Sequence, residues 1–198
     1  MKEELDAFHQ IFTTTKEAIE RFMAMLTPVI ENAEDDHERL YYHHIYEEEE
    51  QRLSRLDVLI PLIEKFQDET DEGLFSPSNN AFNRLLQELN LEKFGLHNFI
   101  EHVDLALFSF TDEERQTLLK ELRKDAYEGY QYVKEKLAEI NARFDHDYAD
   151  PHAHHDEHRD HLADMPSAGS SHEEVQPVAH KKKGFTVGSL IQHHHHHH

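Results

Sequence analysis

The chain has 198 residues and a formal net charge of -21, with 41 Asp and Glu against 20 Lys and Arg. Such a surface repels nucleic acid and anionic membrane, so neither is expected as a partner, whereas cations are. There is no cysteine, which excludes disulfides and thiolate metal sites and leaves oxygen and imidazole to hold any metal.

Met1 to Asp6 lack the apolar run of a signal peptide, and no stretch is long and apolar enough to span a bilayer, so a cytoplasmic protein is expected. His193 to His198 read as an expression tag.

Residues 1–144 are dense in Leu, Ile, Phe, Glu, Lys and Arg and carry the helical period in four segments. The first repeats Leu5, Phe8, Phe12, Ile19, Phe22, Leu26, Val29 and Ala33 at steps of three, four or seven, and the second Ile45, Leu53, Leu56, Ile60 and Ile63. The third uses Leu85, Leu89, Leu96, Phe99, Val103 and Leu107, and the fourth Leu118, Leu122, Ala126, Val133, Leu137 and Ile140. Each stripe faces one core.

The first reversal has two readings. Thr27-Pro28 has the form of an N-cap followed by a first-turn proline, whereas a turn over 32–36 gives helices of equal length, which close a bundle; the later turn is preferred. Residues 70–80, with Gly73 and Pro77, separate the second and third helices. Thr111 to Glu114 reads as a capping box opening the fourth, so the third ends beside Phe110. Short connections then give an all-α, antiparallel four-helix bundle.

Polar residues intrude on these stripes. Glu49 falls four residues after Ile45 and four before Leu53, on the buried line of the second helix. His43 with Glu47, His44 with Glu48, and His97 with Glu101 are each four apart and share a face, and His102 adjoins the last pair. Pairing the helices about their turns places Glu20 opposite Glu49, Glu49 opposite residues 97–102, and Glu101 opposite Glu121 with Asp125 a turn away. All four helices would then put carboxylate or imidazole at one level. Buried carboxylates need compensating charge, and facing carboxylates on a bundle are how two irons are bridged. Carboxylate and imidazole without thiolate suit iron, manganese or zinc. The expected ligands are Glu20, His44, Glu47, Glu48, Glu49, His97, Glu101 and His102; with iron, Glu49 and Glu101 are expected to be central to catalysis at a di-iron centre. The histidines lie on the flank of the core stripe, so a site completed across a homodimer interface is also expected.

Residues 145–180 change abruptly to His, Asp, Ala, Ser and Pro, too poor in large apolar side chains to offset ordering entropy, and are expected to form a disordered linker. A flexible chain of that length reaches about 35 Å. Its histidines suit either a soluble spacer or loose metal collection. Residues 181–192 follow, with Lys181 to Lys183 and then Thr186, Val187, Gly188, Ser189, Leu190 and Ile191, a short basic and apolar peptide suited to another protein's groove.

This terminal peptide resembles the targeting peptide of encapsulin cargo proteins. Together with the bundle, the His and carboxylate layer and the His-rich tether, the chain resembles the ferritin-like, iron-mineralizing cargo proteins of Firmicute encapsulins. The resemblance implies a ferroxidase that oxidises Fe(II) to Fe(III) with oxygen for iron storage inside an encapsulin nanocompartment, with Thr186 to Ile191 binding the shell. A non-catalytic iron-binding or nucleating cargo is the alternative. The pattern departs from ferritins, since the only Glu-x-x-His falls at Glu34 to His37, in the expected turn. It departs from hemerythrins too, whose ligand set needs a histidine on the fourth helix, where none occurs.

Overall fold

A computed structural model describes the backbone of residues 1–148 and the side chains of residues 1–145. Helix α1 spans Lys2–Glu31, α2 Asp36–Gln67, α3 Asn80–Ser109 and α4 Glu113–Tyr148, with a 3-10 turn at Glu72–Leu74. They form the expected antiparallel four-helix bundle, and no strand occurs among the described residues. The expected start of the linker at 145 is corrected, because α4 runs through Tyr148 and so carries His146, where no histidine was expected on the fourth helix. The rest of the expected linker, the terminal peptide and the tag lie outside the described residues.

Local chemistry explains the boundaries. Asp35 caps α2 by accepting from the His37 amide at 3.1 Å, and Asn79 caps α3 by accepting from the Ala81 amide at 3.1 Å. The turn after α1 is thus the later of the two readings, and Pro28 sits inside the last turns of that helix. Its carbonyl accepts from the Asn32 amide at 3.0 Å, which carries the helix past the proline. At the start of α4 the expected cap is corrected by one residue. Asp112, rather than Thr111, accepts from the Arg115 amide, at 3.1 Å, because α4 begins at Glu113 and the cap must immediately precede it.

The stripes meet as expected, with Phe8, Phe12, Phe22, Phe82 and Phe99 fully buried. Phe22 of α1 meets Phe99 of α3 edge to face at 5.6 Å, crossing the bundle diagonal. One end is closed by Phe66, Phe75, Phe82 and Phe144, with successive centroids 5.6–5.7 Å apart; the other by Tyr42 stacked on Phe110. On α4 the core takes Leu119 in full and Leu118 only in part.

Between α1 and α4, Gly129 lets the helices approach: a Cβ there would lie 2.9 Å from Ile11 Cγ2. Ile is branched at Cβ and cannot swing aside cheaply. Gly129→Ala is therefore expected to lower the melting temperature. Overpacking costs about 1–3 kcal/mol, against a helix-propensity gain of about 1 kcal/mol. A melting curve at or above that of the native sequence would contradict this.

Candidate functional site

The buried polar side chains are Thr15 on α1, Glu49 and Arg52 on α2, and Glu92 and His102 on α3, among the described residues. Burying charge costs solvation unless the charges are paired, so the four ionisable groups have to be read together. Glu49 is 0 % exposed and its Oε1 accepts from Arg52 Nη1, one turn along α2, and meets His102 Nδ1 at 2.6 Å across the helix interface. The other ring nitrogen, His102 Nε2, lies 2.9 Å from Glu48 Oε2, and Glu48 Oε1 lies 3.2 Å from His44 Nε2. These contacts form a row, His44–Glu48–His102–Glu49, from the exposed surface of α2 to a fully buried carboxylate. Glu49 Oε2 is buried and has no hydrogen-bond partner.

A second charged group lies beyond Arg52. Glu92 is 1 % exposed, Arg55 Nε stands 3.2 Å from its Oε1, and neither carboxylate oxygen has an aligned donor. Burial raises the Glu92 carboxyl above its ordinary value, while Arg55 and Arg52 pull the other way.

The site residues expected from sequence divide into two groups. His44, Glu48, Glu49 and His102 come together. Glu20 is exposed on α1, and Glu47 is exposed and paired with His43 at 3.4 Å. Glu101 is 62 % exposed and paired with His97 at 3.4 Å, whose ring stands 5.5 Å from Tyr130 of α4. Of the residues expected opposite them, Glu121 pairs on the surface with Arg21 at 3.4 Å and Asp125 is exposed.

The expected level across all four helices is thus corrected to a cluster on α2 and α3, and the reason is stagger. The expected register puts Phe12 opposite Asp57, but Lys16 stands there, with Nζ 3.0 Å from Asp57 Oδ1. It puts Leu118 opposite Asp104, where Arg123 Nε is found at 2.6 Å. Both hairpins are displaced by about one helical turn, which carries Glu20 away from Glu49 and Glu121 away from Glu101. Between α2 and α3 the expected register holds, as the Arg55–Glu92 pair shows.

Arg52, Arg55, Glu92 and Gly95 were not expected to matter. A signal was present for two of them: Glu92 lies on the core line between Leu89 and Leu96, as Glu49 does on α2, and Arg52 follows Glu49 by three residues on the same face.

No three His, Asp or Glu side chains among the described residues are gathered so as to hold a metal ion within one chain. Residues 8–144 match the family of IMEF cargo Flp proteins. The chain belongs to that family. It is accordingly an encapsulin cargo protein, associated with an encapsulin shell. No helix among the described residues is long and apolar enough to cross a membrane.

Proposed function

We propose that this encapsulin cargo protein is a ferroxidase, with Fe(II) and oxygen as substrates, and that its iron ligands come from the row His44–Glu48–His102–Glu49. The observation that carries the reading is Glu49 Oε2, a fully buried carboxylate oxygen with no partner, beside an imidazole and a second carboxylate. A buried acceptor of this kind is costly unless a cation uses it. Oxygen and imidazole donors without thiolate suit iron.

One chain supplies two imidazoles and two carboxylates, so a second copy completes the centre. The outer turns of α3 beside the row favour this, because they expose Phe94, Leu105 and Phe108, the last 89 % exposed, at helical spacing. His97 and Glu101 lie on the same outer side of α3, and a second copy is also what their reading as ligands requires.

Iron bound in such a centre supplies one electron per ion to oxygen, giving Fe(III). The protein's part is electrostatic and geometric. The net charge of -21 draws Fe(II) toward the surface. Glu48, which stands 3.2 Å from His44 Nε2 and 2.9 Å from His102 Nε2, can exchange those contacts for an ion. Glu49 supplies an anionic end shielded from water.

A non-catalytic iron-binding cargo is favoured by the lack of any three-ligand cluster within one chain among the described residues. The two readings separate when Fe(II) is loaded without oxygen at stoichiometric amounts and then exposed to air. A ferroxidase consumes oxygen faster than buffer, and His102→Asn and Glu48→Gln each slow it by more than about tenfold. Native protein oxidising iron no faster than buffer would leave the binding role alone. Truncation after Tyr148, the last described residue of α4, is expected to leave the oxidation rate unchanged. Loss of activity in a folded truncated protein would move the site into the C-terminal segment.

A further inference from the structure

Glu49, the inner end of the row, already has a cation beside it. Its Oε1 accepts from Arg52 Nη1 in a site closed to water. A guanidinium cannot shed its proton, so a metal ion reaching Glu49 meets a fixed like charge at its back. Either Arg52 stays and opposes the metal, or it has somewhere to go.

Glu92 provides that place. Both of its oxygens are buried without an aligned donor, although Arg55 Nε lies 3.2 Å away, and Arg52 Nε is likewise buried without a partner. Gly95, one turn along α3 from Glu92, keeps the space between them open. A Cβ at that position would stand 2.8 Å from Glu92 Oε2 and 3.0 Å from Arg52 Nε. Glycine is a poor residue for the middle of a helix, and here its value is the room it leaves.

We infer that Arg52 is an internal counter-cation, neutralising Glu49 in the metal-free protein and passing to Glu92 when a metal ion takes Glu49. Arg52 and Glu92 are then positioning residues, and Glu92 acts on the metal only through Arg52. The inference rests on the reading of Glu49 as an iron ligand.

The test is anaerobic calorimetric titration of the full-length protein with Fe(II), comparing the native sequence with Arg52→Gln, Glu92→Gln and the double variant. Glu92→Gln removes the second berth and is expected to weaken binding by about tenfold or more. Arg52→Gln removes the competing charge and is expected not to weaken it. In the Arg52→Gln background, Glu92→Gln is expected to have no further effect, a non-additivity that a merely structural role for Glu92 would not produce. As a second readout, the metal-free Arg52→Gln protein should melt lower than native and gain more on Fe(II) loading.

Should Arg52→Gln fail to fold, Gly95→Ala replaces it. That change alters no charge but fills the space between Arg52 and Glu92, and is expected to weaken Fe(II) binding as Glu92→Gln does. Equal losses from Glu92→Gln in both backgrounds, or native affinity in Gly95→Ala, would overturn the counter-cation and leave the iron site standing. Native protein that binds no Fe(II) anaerobically would remove the site itself and the inference with it.

Discussion

Glu49→Gln is expected to destabilise the metal-free protein by roughly 3 kcal/mol, the scale set by breaking one side of a buried ion pair. From sequence alone the opposite is expected, since a carboxylate on a core stripe facing other carboxylates gains by losing its charge. The structure reverses the sign. Glu49 is held by Arg52 and His102, with no carboxylate from α1 or α4 beside it, and the amide would break the ion pair Arg52 makes in the metal-free protein, leaving it only Glu92, to which it has no aligned contact. Glu101→Gln should leave stability unchanged, because the pair it breaks with His97 is in solvent. Urea denaturation of the metal-free proteins measures both. A Glu49→Gln protein as stable as native would mean that Arg52 finds equal compensation elsewhere, for which the Glu92 carboxylate is the obvious acceptor. A Glu101→Gln protein that loses as much would bury a group now placed on the surface.

What could be read without coordinates follows from which physical quantity each feature depends on. Helix extents and the burial of Glu49 depend on local chemistry and on a period within one segment. The Asp35 cap and the position of Glu49 between Ile45 and Leu53 contain them in full. Stagger between helices depends on how a short loop leaves one helix and enters the next, and that is not written in its length. In both hairpins the second helix overshoots the first by about one turn at the loop end, as the Lys16–Asp57 and Asp104–Arg123 pairs record. Leu40, near the start of α2, is left exposed, and Leu118, near the start of α4, only half-buried. One turn is enough to separate Glu20 from Glu49. Sign was the other illegible quantity: a stripe position shows that a charged group is buried, not whether its neighbour is a metal, another carboxylate or an arginine. Arg52 sits at the same spacing from Glu49 that would support a surface ion pair, and only burial turns that spacing into a compensated core charge.

Delivery into the shell is expected to be separable from the bundle, and Val187→Asp with Leu190→Asp should abolish packaging while leaving iron oxidation in solution unchanged. The family places the chain in an encapsulin, and the segment proposed to dock it is Thr186 to Ile191, which lies outside the described residues. Three apolar side chains there, Val187, Leu190 and Ile191, can each contribute at most about 1.5–3 kcal/mol on full burial, and ordering the peptide offsets part of that. A single peptide is therefore weak, and strong retention comes from several acting together if the cargo is oligomeric. Two aspartates would bring two charges into apolar pockets, a penalty larger than the whole gain. Co-expression with the native shell and measurement of cargo per purified particle gives the result. A fluorescent protein carrying only Gly184 to Gln192 should enter the shell, at lower occupancy if it is monomeric. If it is excluded, or if the double aspartate variant is packaged at native levels, the address lies on the bundle, where the exposed Phe94, Leu105 and Phe108 of α3 would be the first surface to mutate.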